Sequence, residues 1–182
     1  MNALSKLKPA IPFILLIALL GLLWHELFSA RAAEIPSALV GEPVPHFRLQ
    51  TLFAPPNQFT EKNLRGRVSL LNVWATWCYA CNLEHGMLMK IKDEYHVPIY
   101  GINYKDNPQD ARAYLQKKGN PYVMIGSDNS GDTGIDLGIY GTPETFVISP
   151  RGRIIYRHVG TIDQETWDSV LYPLLKKYES VR

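Results

Sequence analysis

The chain has 182 residues, a net charge of +2 and 46% hydrophobic residues. Removing an apolar N-terminal stretch leaves about 150 residues, enough for one domain with its own core. The basic residues are scattered rather than gathered into a stripe with interleaved aromatics, which argues against nucleic acid as a partner. Only two cysteines occur, Cys78 and Cys81, and so short a loop staples almost nothing, so a disulfide framework is excluded.

Lys6 and Lys8 precede the apolar stretch and no acid accompanies them. Every residue from Ile11 to Trp24 is apolar, Pro or Gly, a run shorter than the roughly twenty residues that span a bilayer. Counting from Pro9 to Phe28 reaches that length, with His25 and Glu26 near the far interface. The lysines predict a cytoplasmic N-terminus and an exported remainder. A cleavable signal peptide is the alternative, with Ala30-Arg31-Ala32 and Ala33 as the small-residue site. Either arrangement puts the cysteines where disulfides persist. The expected division is a short cytoplasmic segment at 1–9, an anchor or signal peptide at 10–28, a linker at 29–42 and a folded domain at 43–182.

Within that domain Phe47 to Leu49 alternates as a short strand would, and Pro55-Pro56 follows as a turn. Thr60 to Leu64 reads as one helical turn capped by Thr60. Val68 to Ala75 is apolar except for Asn72, the pattern of a strand buried on both faces, and Asn72 is expected to be hydrogen-bonded in the core. A helix is expected from Leu83 to about Glu94, with Leu83, Met87, Ile91 and Tyr95 facing inward. Val97 to Ile102 is the next strand, and the helix between the two predicts a parallel pair. Asn107-Pro108 starts a helix through Asp110 to Lys118, and Gly119 stops it. Tyr122–Ile125 is extended, Ser127–Asp132 is turn material and Ile135–Ile139 is a short helical piece. Glu144 to Ser149 and Arg153 to Val159 form a hairpin about Pro150-Arg-Gly152. Asp163 caps a last helix to Tyr178, with Trp167, Val170, Leu171 and Leu174 inside, and Pro173 is expected to bend or break it.

The chemistry concentrates at Cys78-Tyr-Ala-Cys81, where an apolar strand runs into a helix. The first turn of a helix carries free N–H groups and partial positive charge, which stabilise a thiolate. Cys78 lies nearest those donors and is expected to be the more exposed, attacking sulfur; Cys81, one turn on, is its buried resolving partner. A close cysteine pair is also half of a zinc site. His85 could share a helix face with the two cysteines, although no fourth ligand presents itself. Asn82, not His, follows the second cysteine, so the motif is not a haem-attachment site. Glu84 falls on the same side of the helix as Cys81, and Glu144 directly follows Pro143. A negative charge near a thiol raises its pKa, so both acids are candidates for keeping the pair reducing; the alternative is that both are solvated. Trp74 is expected in the core and Trp77 on the surface beside Cys78.

Trp74-Ala-Thr-Trp77-Cys78-Tyr-Ala-Cys81 resembles the W-x-x-W-C-x-x-C signature of thioredoxin-like proteins. Glu84, Gly101-Ile-Asn-Tyr-Lys-Asp106, Gly119-Asn-Pro-Tyr122 and Tyr140-Gly-Thr-Pro-Glu-Thr-Phe146 are similar to the membrane-anchored thiol–disulfide reductases of cytochrome c maturation, the CcmG/DsbE type. The resemblance covers residues 40 to 178 and the N-terminal anchor. It implies an α/β thioredoxin-like fold, a central mixed sheet flanked by helices, with an N-terminal transmembrane anchor in the bacterial inner membrane and the domain in the periplasm. It implies no cofactor. Its partners would be an apocytochrome c, or the chaperone holding one, and a membrane electron donor of the DsbD/CcdA type. It also implies a cis Thr142–Pro143 bond in a loop beside the first cysteine, with Trp77, Tyr140, Thr142 and Pro143 meeting the substrate. Asn72 stands where many thioredoxins carry a buried acid, so Glu84 and Glu144 are expected to accept protons in its place. Many relatives place a proline where this chain has Tyr79-Ala80, so the family's potential does not carry over. The expected activity is reduction of haem-attachment cysteines. A general disulfide oxidant or isomerase is one alternative, and a metal-binding module of Cys78, Cys81 and His85 is another.

Overall fold

The computed structural model describes residues 11–29, 39–53 and 58–179, with the side chains of the first stretch described as far as His25. The Ala30–Ala33 site, Pro36 and the Pro55-Pro56 turn lie outside the described residues. The chain divides into two units, Met1–Ile35 and Pro36–Arg182.

The first unit holds one helix, α1 (Ile11–Ser29, 19 residues). Pro12 is accommodated in its first turn, where a missing N–H breaks no intrahelical bond. Its described side chains, Ile11 to His25, are exposed. At about 1.5 Å per residue they cover about 22 Å, less than the roughly 30 Å of a hydrocarbon core. Among the described residues no helix is long and apolar enough to cross a membrane.

The second unit is built on one seven-stranded sheet. Its strands are β1 (Arg48–Thr51), β2 (Gln58–Thr60), β3 (Ser69–Trp74), β4 (Ile99–Tyr104), β5 (Met124–Asp128), β6 (Glu144–Ile148) and β7 (Ile154–Val159). They lie in the order β2-β1-β5-β4-β3-β6-β7. The pairs β3–β4 and β4–β5 are parallel and the others are antiparallel. The helices are α2 (Tyr79–Asp93), α3 (Pro108–Lys118), α4 (Asp132–Asp136), α5 (Gln164–Thr166) and α6 (Tyr172–Glu179). A 3-10 turn, Glu61–Leu64, links β2 to β3, and a π-helical turn, Trp167–Leu171, joins α5 to α6.

The central strand β3 is buried at all six positions, as its sequence requires. Its side chains alternate between two cores. Leu70 and Trp74 join Cys78, Cys81, Leu88, Ile91, Leu115, Val147, Trp167, Leu171 and Leu175 under α2, α3, the π-helical turn and α6. Leu71 and Val73 join Phe59, Ile102, Leu137, Phe146, Ile148 and Ile154 on the opposite face. Burying both faces anchors β3 rigidly, and the chain leaves its C-terminal end directly into the Cys-x-x-Cys turn.

Several elements differ from the sequence expectation, each for an identifiable reason. Helix α2 begins at Tyr79, not Leu83, because Cys78 itself is its N-cap. The buried stripe of α2 is Cys81, Glu84, His85, Leu88 and Ile91, whereas Leu83 is 60% exposed. Spacing of i, i+3, i+4 and i+7 is kept, but two titratable side chains occupy it. Strand β5 continues through Ser127 and Asp128, paired with Asn103 and Tyr104, where a polar turn is expected. Asp128 tolerates burial there because its carboxylate accepts the Gly131, Thr133 and Gly134 N–H groups at the start of α4. Pro173 does not break the last helix. The π-helical turn absorbs it, with the Tyr172 N–H reaching back to the Trp167 carbonyl. The wider turn shifts the inner face, so Leu175 is buried and Leu174 only partly so.

Candidate active site

Cys78 sits at the N-cap of α2 in extended conformation, and its Sγ accepts the Cys81 N–H at 3.0 Å. The two sulfurs are joined in a disulfide, with Cα atoms 5.3 Å apart. Sulfur bonded to sulfur here receives the same backbone donor that would stabilise a Cys78 thiolate after reduction. Both cysteines are 5% exposed. The expected difference in exposure is therefore absent in this oxidised form, in which one bond ties both side chains to the same helix end.

Asp106 holds the turn that delivers Cys78. Its carboxylate accepts the Thr76 N–H at 2.6 Å and the Thr76 hydroxyl at 2.7 Å, and also takes Asn103 Nδ2 and the Asn107 N–H, each at 2.8 Å. Trp77 donates its indole N–H to the Lys105 carbonyl at 3.0 Å while remaining 59% exposed. Trp74 is buried and stacks on Tyr122 at 5.6 Å between centroids. Gly101 permits that stack, since a Cβ there would meet both rings at 3.1 Å.

Beneath the cysteines lies a buried polar network. Asn72 donates through Nδ2 to Glu84 Oε1 at 3.0 Å and to the Thr145 hydroxyl at 2.9 Å, and its Oδ1 accepts the Tyr122 hydroxyl at 2.8 Å. Glu84 Oε2 accepts the Ile162 N–H at 3.0 Å. Glu84 is 1% exposed, not solvated, and burial outweighs those two hydrogen bonds to push its pKa up to about 7. Burial, then the Glu84 charge, also pushes the Tyr122 hydroxyl well above its ordinary value.

Glu144 is fully buried too, but it serves another face. It shares the β6 side occupied by Phe146 and Ile148, opposite the face that carries α2 and the cysteines. Its Oε2 accepts Arg157 Nε at 2.7 Å and lies 2.6 Å from Arg157 Nη2, while Oε1 accepts the Tyr140 and Gly141 N–H groups at 3.1 and 3.3 Å. The charge is thus neutralised by Arg157 and turned toward the Tyr140–Pro143 loop rather than toward a thiol. The Thr142–Pro143 bond is cis, and the Pro143 carbonyl accepts the Gly160 N–H at 3.0 Å. Strand β6 runs antiparallel to β3 with Glu144 opposite Val73, so this loop and the cysteine turn leave the same end of adjacent strands. Tyr140 and Trp77 are exposed at that end, and Thr142 is half-buried.

His85 packs edge-on against Tyr114 at 5.2 Å between centroids, and burial lowers its pKa. A metal site would need both sulfurs as thiolates, and here they are bonded to each other. Among the described residues no group of three or more His, Cys, Asp and Glu could hold a metal ion. Asp106, Tyr122, Thr145 and Arg157 carry no chemical signal of their own in the sequence. Asp106 closes the Gly101–Asp106 motif, which is its one signal in the sequence; Arg157 becomes visible only when β7 is paired with β6.

A surface-facing turn that offers one helix-capped sulfur, with a second sulfur in bonding reach, can exchange disulfides with a partner. On this sheet that chemistry defines a thioredoxin-like thiol–disulfide oxidoreductase. The Redoxin family matches residues 39–172. The chain is 40% identical to the thiol:disulfide interchange protein DsbE of Allochromatium vinosum, over 98% of each chain. It is 41% identical to DsbE of Escherichia coli K12, covering 92% of this chain and 93% of that one. The chain belongs to the Redoxin family and, within it, to the DsbE (CcmG-type) thiol:disulfide interchange proteins. Two solved structures share the fold: a secreted thiol-disulfide isomerase of Corynebacterium glutamicum (TM-score 0.63, 22% identity, 73% of this chain and 85% of that one) and a thiol-disulfide oxidoreductase of Bacteroides fragilis (TM-score 0.61, 23% identity, 74% and 100%).

Proposed function

We propose that the chain reduces the haem-attachment cysteines of apocytochrome c, or of a chaperone carrying it, during cytochrome c maturation. The observation that carries this reading is the Cys78–Cys81 pair at the start of α2, with the Cys81 N–H on Cys78 Sγ, in a chain of the DsbE family. Cys78 thiolate attacks a partner disulfide and one partner sulfur leaves as thiolate. Cys81 gives its proton to Glu84, attacks Cys78 Sγ and expels the second partner sulfur. Two electrons pass to the partner, whose thiolates take up protons, and the Cys78–Cys81 disulfide remains. A membrane dithiol donor of DsbD/CcdA type then restores the pair.

Glu84 suits the proton transfer because its pKa of about 7 lets it accept or release a proton near neutrality, one helical turn from Cys81. Its negative charge also disfavours a neighbouring thiolate, which biases the pair toward reduction of others. Trp77, Tyr140 and Thr142 form the partner-facing rim, and Pro143, expected to meet the substrate with them, is buried in the same loop. Residues 10–28 anchor the chain in the inner membrane, with 1–9 in the cytoplasm and the domain at 43–182 in the periplasm beyond a linker at 29–42. In support, the α1 backbone continues to Ser29, and Leu27 and Phe28 extend the apolar run.

The test is the redox potential of the purified protein equilibrated with defined thiol–disulfide buffers. A reductant should titrate at least about 100 mV below the roughly −120 mV of a strong oxidant. A midpoint near that upper value would favour the oxidant reading and overturn this one.

A further inference from the structure

We propose that Arg157 is a positioning residue that sets how tightly a partner's disulfide segment is held by the Tyr140–Pro143 loop. The proposal rests on the reductase reading above and deepens it. The Arg157 side chain is 6% exposed and lies two residues before the end of β7. Its Nε donates to Glu144 Oε2, Nη2 lies in ion-pair contact with the same oxygen, and its face lies 4.7 Å from the centre of the Tyr140 ring. Through Glu144 Oε1 the same pair fixes the N–H groups of Tyr140 and Gly141. One guanidinium therefore fixes both the backbone of the loop and the plane of its exposed aromatic. The Thr142 hydroxyl is buried without a hydrogen-bond partner, so it gives the loop no polar tether of its own.

The chemistry explains why arginine stands there. A buried ion pair adds little stability over apolar residues of the same volume, so its yield lies in orientation. A planar fork can engage a carboxylate with its edge and an aromatic ring with its face at once, and a lysine ammonium cannot. Tyr140 is left 61% exposed with one face backed by the cation, a rigid platform at the strand end from which Cys78 also emerges. Arg157 touches neither sulfur in this arrangement. It acts through Glu144 and Tyr140.

The experiment is single-turnover reduction of a synthetic peptide with an internal Cys-x-x-Cys-His disulfide by the pre-reduced protein, followed across peptide concentration. Arg157→Lys should raise the half-saturating peptide concentration about tenfold while the limiting rate stays within about twofold. The double variant Arg157→Met with Glu144→Gln leaves no unpaired buried charge and should behave alike, so a misfolded single variant does not decide the matter. Unchanged half-saturation in both variants would overturn the proposal. So would a limiting rate that falls in step with melting temperature, which marks a merely structural role. A wild-type protein that leaves the peptide oxidised would instead overturn the reductase reading, and this proposal with it.

Discussion

Replacing Glu84 with glutamine tests the buried acid under the cysteines. A rise in pKa from 4.5 to about 7 means the folded state keeps a proton that the unfolded chain releases. Between those values the native protein binds more protons than the unfolded one, so stability falls as pH climbs through the window and levels off above it. At about 1.4 kcal/mol per tenfold change in proton affinity, the loss is about 3 kcal/mol. His85 acts in the opposite sense, because burial lowers its pKa and makes low pH unfavourable to the fold. The difference between wild type and Glu84→Gln therefore isolates the carboxyl. Urea unfolding at several values from about pH 5 to about pH 8 should show a wild type that loses stability relative to the variant as pH rises. Glutamine sacrifices one of the two acceptor contacts, to Asn72 or Ile162, which adds a pH-independent cost of about 1–2 kcal/mol. Parallel pH profiles for the two proteins would refute the assignment of a raised pKa to Glu84.

The turn before Cys78 should loosen in Asp106→Ala, which strips a charged acceptor from Thr76, Asn103 and Asn107. About 2–3 kcal/mol of stability should be lost in urea unfolding, together with slower disulfide reduction. Trp167 is fully buried among Tyr95 and Tyr172, so Trp167→Ala should cost about 3–5 kcal/mol and lower the melting temperature without altering the potential.

Much of this fold is legible because apolar runs, Gly119, Asn107-Pro108 and Pro150-Arg-Gly152 punctuate the chain at its element ends. The parallel β3–β4 pair follows from the helix between them. The inner stripe of α2 is masked in the sequence because it includes Glu84 and His85, so apolar spacing points instead to exposed Leu83. A π-helical turn is likewise invisible in spacing, because nothing in the residues announces the extra one that moves Leu175 inward. The candidate site divides the same way. Cys78, Cys81 and the Glu84 helix face are set by local sequence. The environment of Glu144 depends on strand alternation and on Arg157 across a strand pair, and both emerge only with the register in hand.

The exchange chemistry requires Cys78 to be the attacking sulfur. Reduced Cys81→Ser and Cys78→Ser proteins, each mixed with the oxidised Cys-x-x-Cys-His peptide, test it by mass spectrometry of the adducts. Cys81→Ser should accumulate a mixed disulfide on Cys78 that dithiothreitol releases, and Cys78→Ser should remain unmodified. A peptide adduct on Cys81 in the second protein, with Cys78 inert in the first, would contradict it.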